Sequence, residues 1–120
     1  MSEPNAAFAV VLTTASSAEE AELIARALVE RRLAACVNVT GEIRSIYRWE
    51  GKVCSESERL LVIKTTVARF AAVLDAIRGL HSYKNPEVVL LPISDGSDAY
   101  LRWILESVGE ANGADSRPEP

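Results

Sequence analysis

Between Cys36 and Thr65 two long β-type segments flank the tetrapeptide Trp49-Glu50-Gly51-Lys52, and no other feature narrows the accessible folds as much. Ser45-Ile46-Tyr47-Arg48-Trp49 and Lys52-Val53-Cys54-Ser55-Glu56 are rich in β-branched and aromatic residues, with glycine at the bend, which is the pattern of a β-hairpin. Each arm is about twice the usual strand length of roughly 5–6 residues. A chain of 120 residues cannot cover two such arms with its own helices. Their ends must stand in solvent or pair with another chain, and pairing makes the hairpin an assembly element.

On the N-terminal side, Phe8-Ala9-Val10-Val11-Leu12-Thr13 is a short apolar run suited to a buried strand. Ser17-Ala18-Glu19-Glu20 follows as a capping box, with Ser17 placed to accept from the third helical amide and Glu20 to reach back. The helix it opens carries Ala21, Ile24, Ala25 and Leu28 on one face and Glu22, Arg26 and Glu30 on the other. Beyond the hairpin, Phe70, Val73, Leu74, Ile77 and Leu80 mark a second amphipathic helix that begins near Thr66 and weakens at Gly79. A loop leads to a strand at Glu87-Val88-Val89-Leu90-Leu91. A last helix opens at Ser97, carries Leu101, Ile104, Leu105 and Val108, and stops at Gly109. Residues 1–110 therefore read as a single domain, and 111–120, polar and containing Pro and Gly, as a flexible tail.

Strand, helix, strand, strand, helix, strand and a terminal helix is the split βαβ order of an α+β ferredoxin-like sandwich, in which two helices cover one face of a four-stranded antiparallel sheet. The other face should alternate toward polar residues if it meets water. Instead Val10-Val11-Leu12, Leu60-Leu61-Val62-Ile63 and Val88-Val89-Leu90-Leu91 are apolar at successive positions. Both faces are expected to be dry, which calls for an oligomer whose sheets pack on each other, bridged by the hairpin arms.

The formal charge of −4 excludes little by its size but something by its distribution. Glu3, Glu110, Asp115 and Glu119 against Arg117 place −3 in the two tails, so the body is nearly neutral. Capture of nucleic acid or of an anionic membrane surface needs clustered Lys and Arg, and neither partner is expected. No apolar run reaches the roughly 18 residues of a membrane span, and Met1-Ser2-Glu3-Pro4-Asn5 lacks a basic leader. The expected compartment is the cytoplasm. Cys36 and Cys54 are expected as thiols. With the turn at Glu50-Gly51, Cys54 faces about Tyr47 and Cys36 lies tens of ångströms farther along, at about 3.3 Å per residue.

Leu33-Ala34-Ala35-Cys36-Val37-Asn38, Ser45-Ile46-Tyr47-Arg48-Trp49-Glu50-Gly51-Lys52, Lys64-Thr65, His81-Ser82-Tyr83-Lys84-Asn85-Pro86-Glu87 and Tyr100-Leu101-Arg102-Trp103 closely resemble, in order and spacing, the divalent-cation tolerance family called CutA. The likeness extends over nearly all of the chain between Phe8 and Val108. It implies a ferredoxin-like fold, a homotrimer resembling the PII signalling proteins, and a link to tolerance of copper and other divalent cations. Members of the family assigned a copper site use a cysteine at the end of the first strand and two successive histidines in the helix-to-strand loop. The matching positions here are Thr13, Leu80 and His81, so two of the three ligand types are absent.

Residue by residue, His81 is the candidate metal ligand, set against a capping role at a helix end; one imidazole is one ligand, whereas tight copper or zinc sites use three or four. Cys36, Lys64, Tyr83 and Glu87 are candidates for an inter-subunit cleft that binds a small ligand, set against a buried small residue at Cys36 and a structural ion pair between Lys64 and Glu87. Tyr47 and Trp49 share one hairpin face, and with Lys52 are expected at the oligomer interface. Cys54, near the turn, is assigned no function. Trp103 is expected to pack. Ser94-Asp95-Gly96-Ser97-Asp98 lacks the spacing and terminal glutamate of a calcium loop and reads as a turn into a helix cap.

The favoured function is a trimeric, non-enzymatic protein of divalent-cation homeostasis, with copper or another divalent cation as its candidate ligand and no assigned cofactor. Two other functions use the same topology. An acylphosphatase-type hydrolase needs an anion cradle with Arg after the first strand, and Thr13-Thr14-Ala15-Ser16-Ser17 supplies hydroxyls without one. An RNA-recognition module needs exposed aromatics on the central strands, where this chain has aliphatic residues.

Overall fold

A computed structural model describes residues 7–109. The expected tail at 111–120 lies outside them. Seven elements follow in the order expected: β1 (Phe8–Ala15), α1 (Ala18–Glu30), β2 (Cys36–Trp49), β3 (Lys52–Thr66), α2 (Phe70–Leu80), β4 (Val89–Pro92) and α3 (Asp98–Ser107), with a 3-10 turn at Val67–Arg69. The four strands form one antiparallel sheet in the order β2-β3-β1-β4, the ferredoxin-like arrangement.

Strand periodicity places Ala9, Val11, Thr13, Leu61, Ile63 and Thr65 on the face under the helices, all fully buried. Ile24 and Leu28 from α1 and Val73 and Ile77 from α2 complete this core. Each such aliphatic side chain contributes roughly 1.5–3 kcal/mol on burial. A second cluster lies where β1 begins and β3 ends, with Ala35, Ile104 and Val108 packed against Phe8, Leu101 and Trp103. It fastens α3, whose last carbonyls accept from two arginines distant in sequence. Arg32 Nη1 is 3.3 Å from Ser107 O, and Arg69 Nε and Nη2 are 3.0 and 2.6 Å from Val108 O. α3 has no basic residue in its own last turn, so cationic complement to its dipole arrives from elsewhere. Arg32 takes a positive φ of 59° at the exit of α1.

The hairpin is as long as its sequence indicates. β2 has 14 residues and β3 has 15, and Glu50 and Gly51 turn with φ of 52° and 81°, the left-handed pair a tight two-residue turn requires. Tyr47 pairs with Cys54, and Cys36 with Lys64. Both cysteines are free thiols. The register shifts between Val39 and Glu42, a bulge that bends β2. Beyond it the two strands continue past the last β1–β3 pair, Ala15 with Arg59, as an unsupported ribbon.

Three boundaries differ from expectation. α2 starts at Phe70 rather than near Thr66 because the Val67 N–H still bonds to Ala7 O at 2.9 Å, holding the chain to the sheet before it coils. Its far end agrees, running through Gly79 to Leu80, the last apolar residue of the expected face. β4 starts at Val89, so Glu87 precedes the strand instead of opening it, and Lys64 lies two residues inside β3 instead of ending it.

Candidate functional site

Where β1 ends and the ribbon leaves the sheet, the β1–α1 turn and the loop after α2 meet at Glu20. Ser17 caps α1 as expected, its Oγ accepting from Glu20 N at 3.1 Å. Glu20 reaches back one residue farther than a capping box requires: Oε1 accepts from Ser16 N (2.8 Å) and Ser16 Oγ (2.9 Å). Its other oxygen accepts from Ser82 N at 2.6 Å, 62 residues away in sequence. Burial alone would raise this carboxyl, yet the Ser16 and Ser82 donors bring it down from 4.5 to about 2. The carboxylate thus ties the α2–β4 loop to the start of α1.

His81 follows directly. Its side chain is fully buried, with Nε2 2.6 Å from Thr14 O and Nδ1 accepting from Tyr83 N at 3.0 Å. One nitrogen donates and the other accepts, so the ring is held as the Nε2–H tautomer. Glu20 Oε2 stands 3.6 Å from Nδ1. Both nitrogens are committed, and coordination by either breaks one of these bonds. Thr13, at the family's cysteine position, is fully buried with its hydroxyl unpartnered among the described residues, and Leu80 packs on the main core. Among the described residues no three His, Cys, Asp or Glu side chains are grouped to hold a metal ion. A hydroxyl, an isobutyl group and an imidazole with no free lone pair do not make a copper site.

Tyr83 packs against His81 with ring centroids 4.6 Å apart and planes tilted by 40° and donates its hydroxyl to Glu58 Oε2 at 2.7 Å. Glu58 is 8% exposed and is the first β3 residue beyond the β1 ladder, so this bond joins the loop to the root of the ribbon. Burial, then the Glu58 hydrogen bond and charge, push the Tyr83 phenol well above its ordinary value. Glu20 and Glu58 were missed as site residues. Glu20 was legible only as a cap, and no local pattern announces a partner 25 residues away.

Cys36 and Lys64, adjacent in the register, lie on the sheet face turned away from the helices. Lys64 Nζ bonds to Asn38 Oδ1, and Cys36 Sγ lies 4.0 Å from the same oxygen. Asn38 is a further member that the sequence reading did not single out. Around this polar group Val10, Leu12 and Val62 are half-buried, and Val89 and Leu91 are 44% and 49% exposed. Within one chain the four cleft candidates fall into separate groups. Glu58, the partner of Tyr83, lies six residues up β3 from Lys64, roughly 20 Å along the strand, and Glu87 is exposed before β4. On the ribbon Tyr47 and Trp49 are 41% and 58% exposed, and Lys52 is exposed beside them. Among the described residues no helix is long and apolar enough to cross a membrane.

The profile of the CutA1 divalent ion tolerance protein family matches residues 9–107. The chain is 49% identical over 100 residues to the divalent-cation tolerance protein CutA of Thermus thermophilus, an alignment covering 83% of this chain and 97% of that protein. It is 44% identical over 98 residues to the chloroplastic protein CutA of Arabidopsis thaliana, covering 82% of this chain and 54% of that longer protein. The solved structure of the divalent cation tolerance protein (Cut A1) from Thermus thermophilus superposes with a TM-score of 0.84 at 48% identity, over 85% of this chain and 99% of that one.

Proposed function

The chain belongs to the CutA1 divalent ion tolerance family, and on that premise we propose that it is a non-enzymatic homotrimer that supports tolerance of divalent cations, copper among them. One contrast carries this reading. The features suited to assembly, an apolar outer sheet face and a projecting ribbon with Ile46, Trp49 and Val53 exposed, are present in full, whereas Thr13, Leu80 and His81 do not form a donor set. Tolerance therefore belongs to the assembled protein and whatever binds between its subunits, rather than to chelation by those three side chains. Subunit boundaries also supply the missing geometry for a small-ligand cleft, with Cys36 and Lys64 from one copy and Tyr83 and Glu87 from the next.

Hydrolysis has little support from the β1–α1 turn. Ser16 Oγ donates to Glu20 and Ser17 Oγ is occupied as the helix cap, while Thr13 and Thr14 are buried, so the turn does not present its hydroxyls to an incoming anion. Two free thiols fit the reducing cytoplasm, where we place the protein even though its Arabidopsis relative is named chloroplastic.

The test is growth of cells lacking their own family member across a series of Cu(II) and Zn(II) concentrations. Expression of this chain is expected to raise the tolerated concentration, His81→Ala to act like the parent, and a chain with both hairpin arms shortened to be inactive. Equal protection by the shortened chain would overturn the dependence on assembly.

A further inference from the structure

We propose that His81 is a proton-operated latch: a proton taken up at Nδ1 moves that nitrogen's bond from the Tyr83 amide to the Glu20 carboxylate and frees Tyr83 from the root of the ribbon. The latch lies within one chain and does not depend on the oligomer.

His81 is the only histidine of the chain, and its side chain is fully buried. With Thr13 and Leu80 in place of co-ligands, proton uptake is the chemistry left to the ring. Nε2–H stays on Thr14 O, at 2.6 Å, in either charge state. Nδ1 lacks that freedom. Neutral, it accepts from Tyr83 N at 3.0 Å; protonated, it becomes a donor and sets one N–H against another. Glu20 Oε2, 3.6 Å from Nδ1, is the acceptor within reach. Against burial, which raises it, the Ser16 and Ser82 donors hold this carboxyl at about 2, so it is ionised throughout the range in which histidine titrates. A buried imidazolium is costly without a counter-charge, and here one is already in place.

The charged groups that face the ring and its neighbour Tyr83 are Glu20 from α1 and Glu58 from β3, with the Tyr47 phenol of β2 farther off. β1 contributes the uncharged Thr14 carbonyl. Both carboxylates favour a positive ring. Ser82 N also donates to Glu20 Oε2, at 2.6 Å, and a carboxylate oxygen has lone pairs for two donors. Proton uptake therefore breaks the hold at residue 83 and keeps it at 82. Tyr83 leaves with its phenol, which donates to Glu58 at 2.7 Å, so a proton on one side of the loop opens the contact with the ribbon on the other.

The experiment is NMR of the isotopically labelled full chain between about pH 8 and about pH 5, where a single histidine makes the ring signals unambiguous. The ring nitrogens are expected to report the Nε2–H tautomer at the upper end and the doubly protonated ring at the lower. Across that transition, hydrogen-exchange protection of the Tyr83 amide should fall about tenfold or more, while that of Ser82 changes by less than about twofold. The Glu58 amide signal should move with the same midpoint in the parent but not in Tyr83→Phe, although the amide at position 83 is still released there. His81→Gln, which offers a donor and an acceptor but no titration, should keep the amide at position 83 protected throughout. A ring that stays neutral across the range, a ring that titrates with the Tyr83 amide still protected, or equal losses at Ser82 and Tyr83 overturn the latch, and none of these three needs a variant that folds. Release in His81→Gln equal to the parent's overturns it too, and a Glu58 signal that moves equally in Tyr83→Phe overturns the relay to the ribbon.

Discussion

Replacing Glu20 with Gln tests the cluster that holds the α2–β4 loop. Its carboxyl sits near 2 in the folded chain against 4.5 when free, a depression worth about 3.5 kcal/mol at most. The side chain is 10% exposed, so solvent screening removes little of this. Because the folded value is the lower one, the contribution is complete above about pH 5 and is lost as pH falls from there toward 2. Glu20→Gln keeps the shape but sets an amide NH₂ against the Ser16 or Ser82 N–H, so that one donor loses its acceptor. Urea unfolding at one fixed protein concentration, since assembly makes apparent stability concentration-dependent, should show the variant about 2–4 kcal/mol weaker at pH 7, with the gap closing by pH 2. An undiminished gap at pH 2, or one below about 0.5 kcal/mol at pH 7, would falsify the assignment of the stabilisation to the ionised carboxylate.

Tyr83→Phe leaves the buried Glu58 carboxylate without its 2.7 Å donor and should cost about 1.5–3 kcal/mol in the same assay; a double variant with Glu58→Leu that is no weaker than Tyr83→Phe alone would confirm that the loss is an orphaned charge. Thr13→Val removes a fully buried hydroxyl that has no partner among the described residues and should be neutral or raise stability by up to about 1 kcal/mol; a loss of about 2 kcal/mol or more would mean the hydroxyl has an unrecognised role. Isothermal titration with Cu(II), Cu(I) and Zn(II) should give the same result for the parent and for His81→Ala, because both ring nitrogens are already engaged; a tenfold loss of affinity, about 1.4 kcal/mol, would make His81 a ligand. Shortening both ribbon arms symmetrically should shift the protein to monomer in sedimentation, and an intact oligomer would refute the assembly role of the arm.

The frame was readable because it depends on local patterns. Apolar and β-branched runs marked the strands, i,i+3/i+4 spacing marked α1 and α2, and Glu50-Gly51 marked the turn whose positive φ values the chain adopts. The boundaries that shifted are those decided by distant partners. Val67 opens a 3-10 turn while its N–H is bonded to Ala7 O, and the α-helix follows only from Phe70. Propensity at those positions is a preference of about 1 kcal/mol or less, and a single tertiary hydrogen bond is enough to override it.

The candidate site was legible in its residue types but not in its grouping. Cys36 and Lys64 were named without any sign that the register pairs them and that the Asn38 side chain reaches both. Tyr83 was named without Glu58, and His81 was weighed as a metal ligand. What decides the role of His81 is the supply of lone pairs. The Thr14 carbonyl and the Tyr83 amide take one nitrogen each, and neither partner is a side chain, so no residue pattern in the sequence could have revealed them. Backbone groups at a strand end and a helix end need partners whatever their side chains are, and a lone histidine between the two is well placed to serve both. In this chain Leu80 and Thr13 replace the ligand types expected at those positions, and the remaining histidine is held as a structural clasp between β1 and the loop.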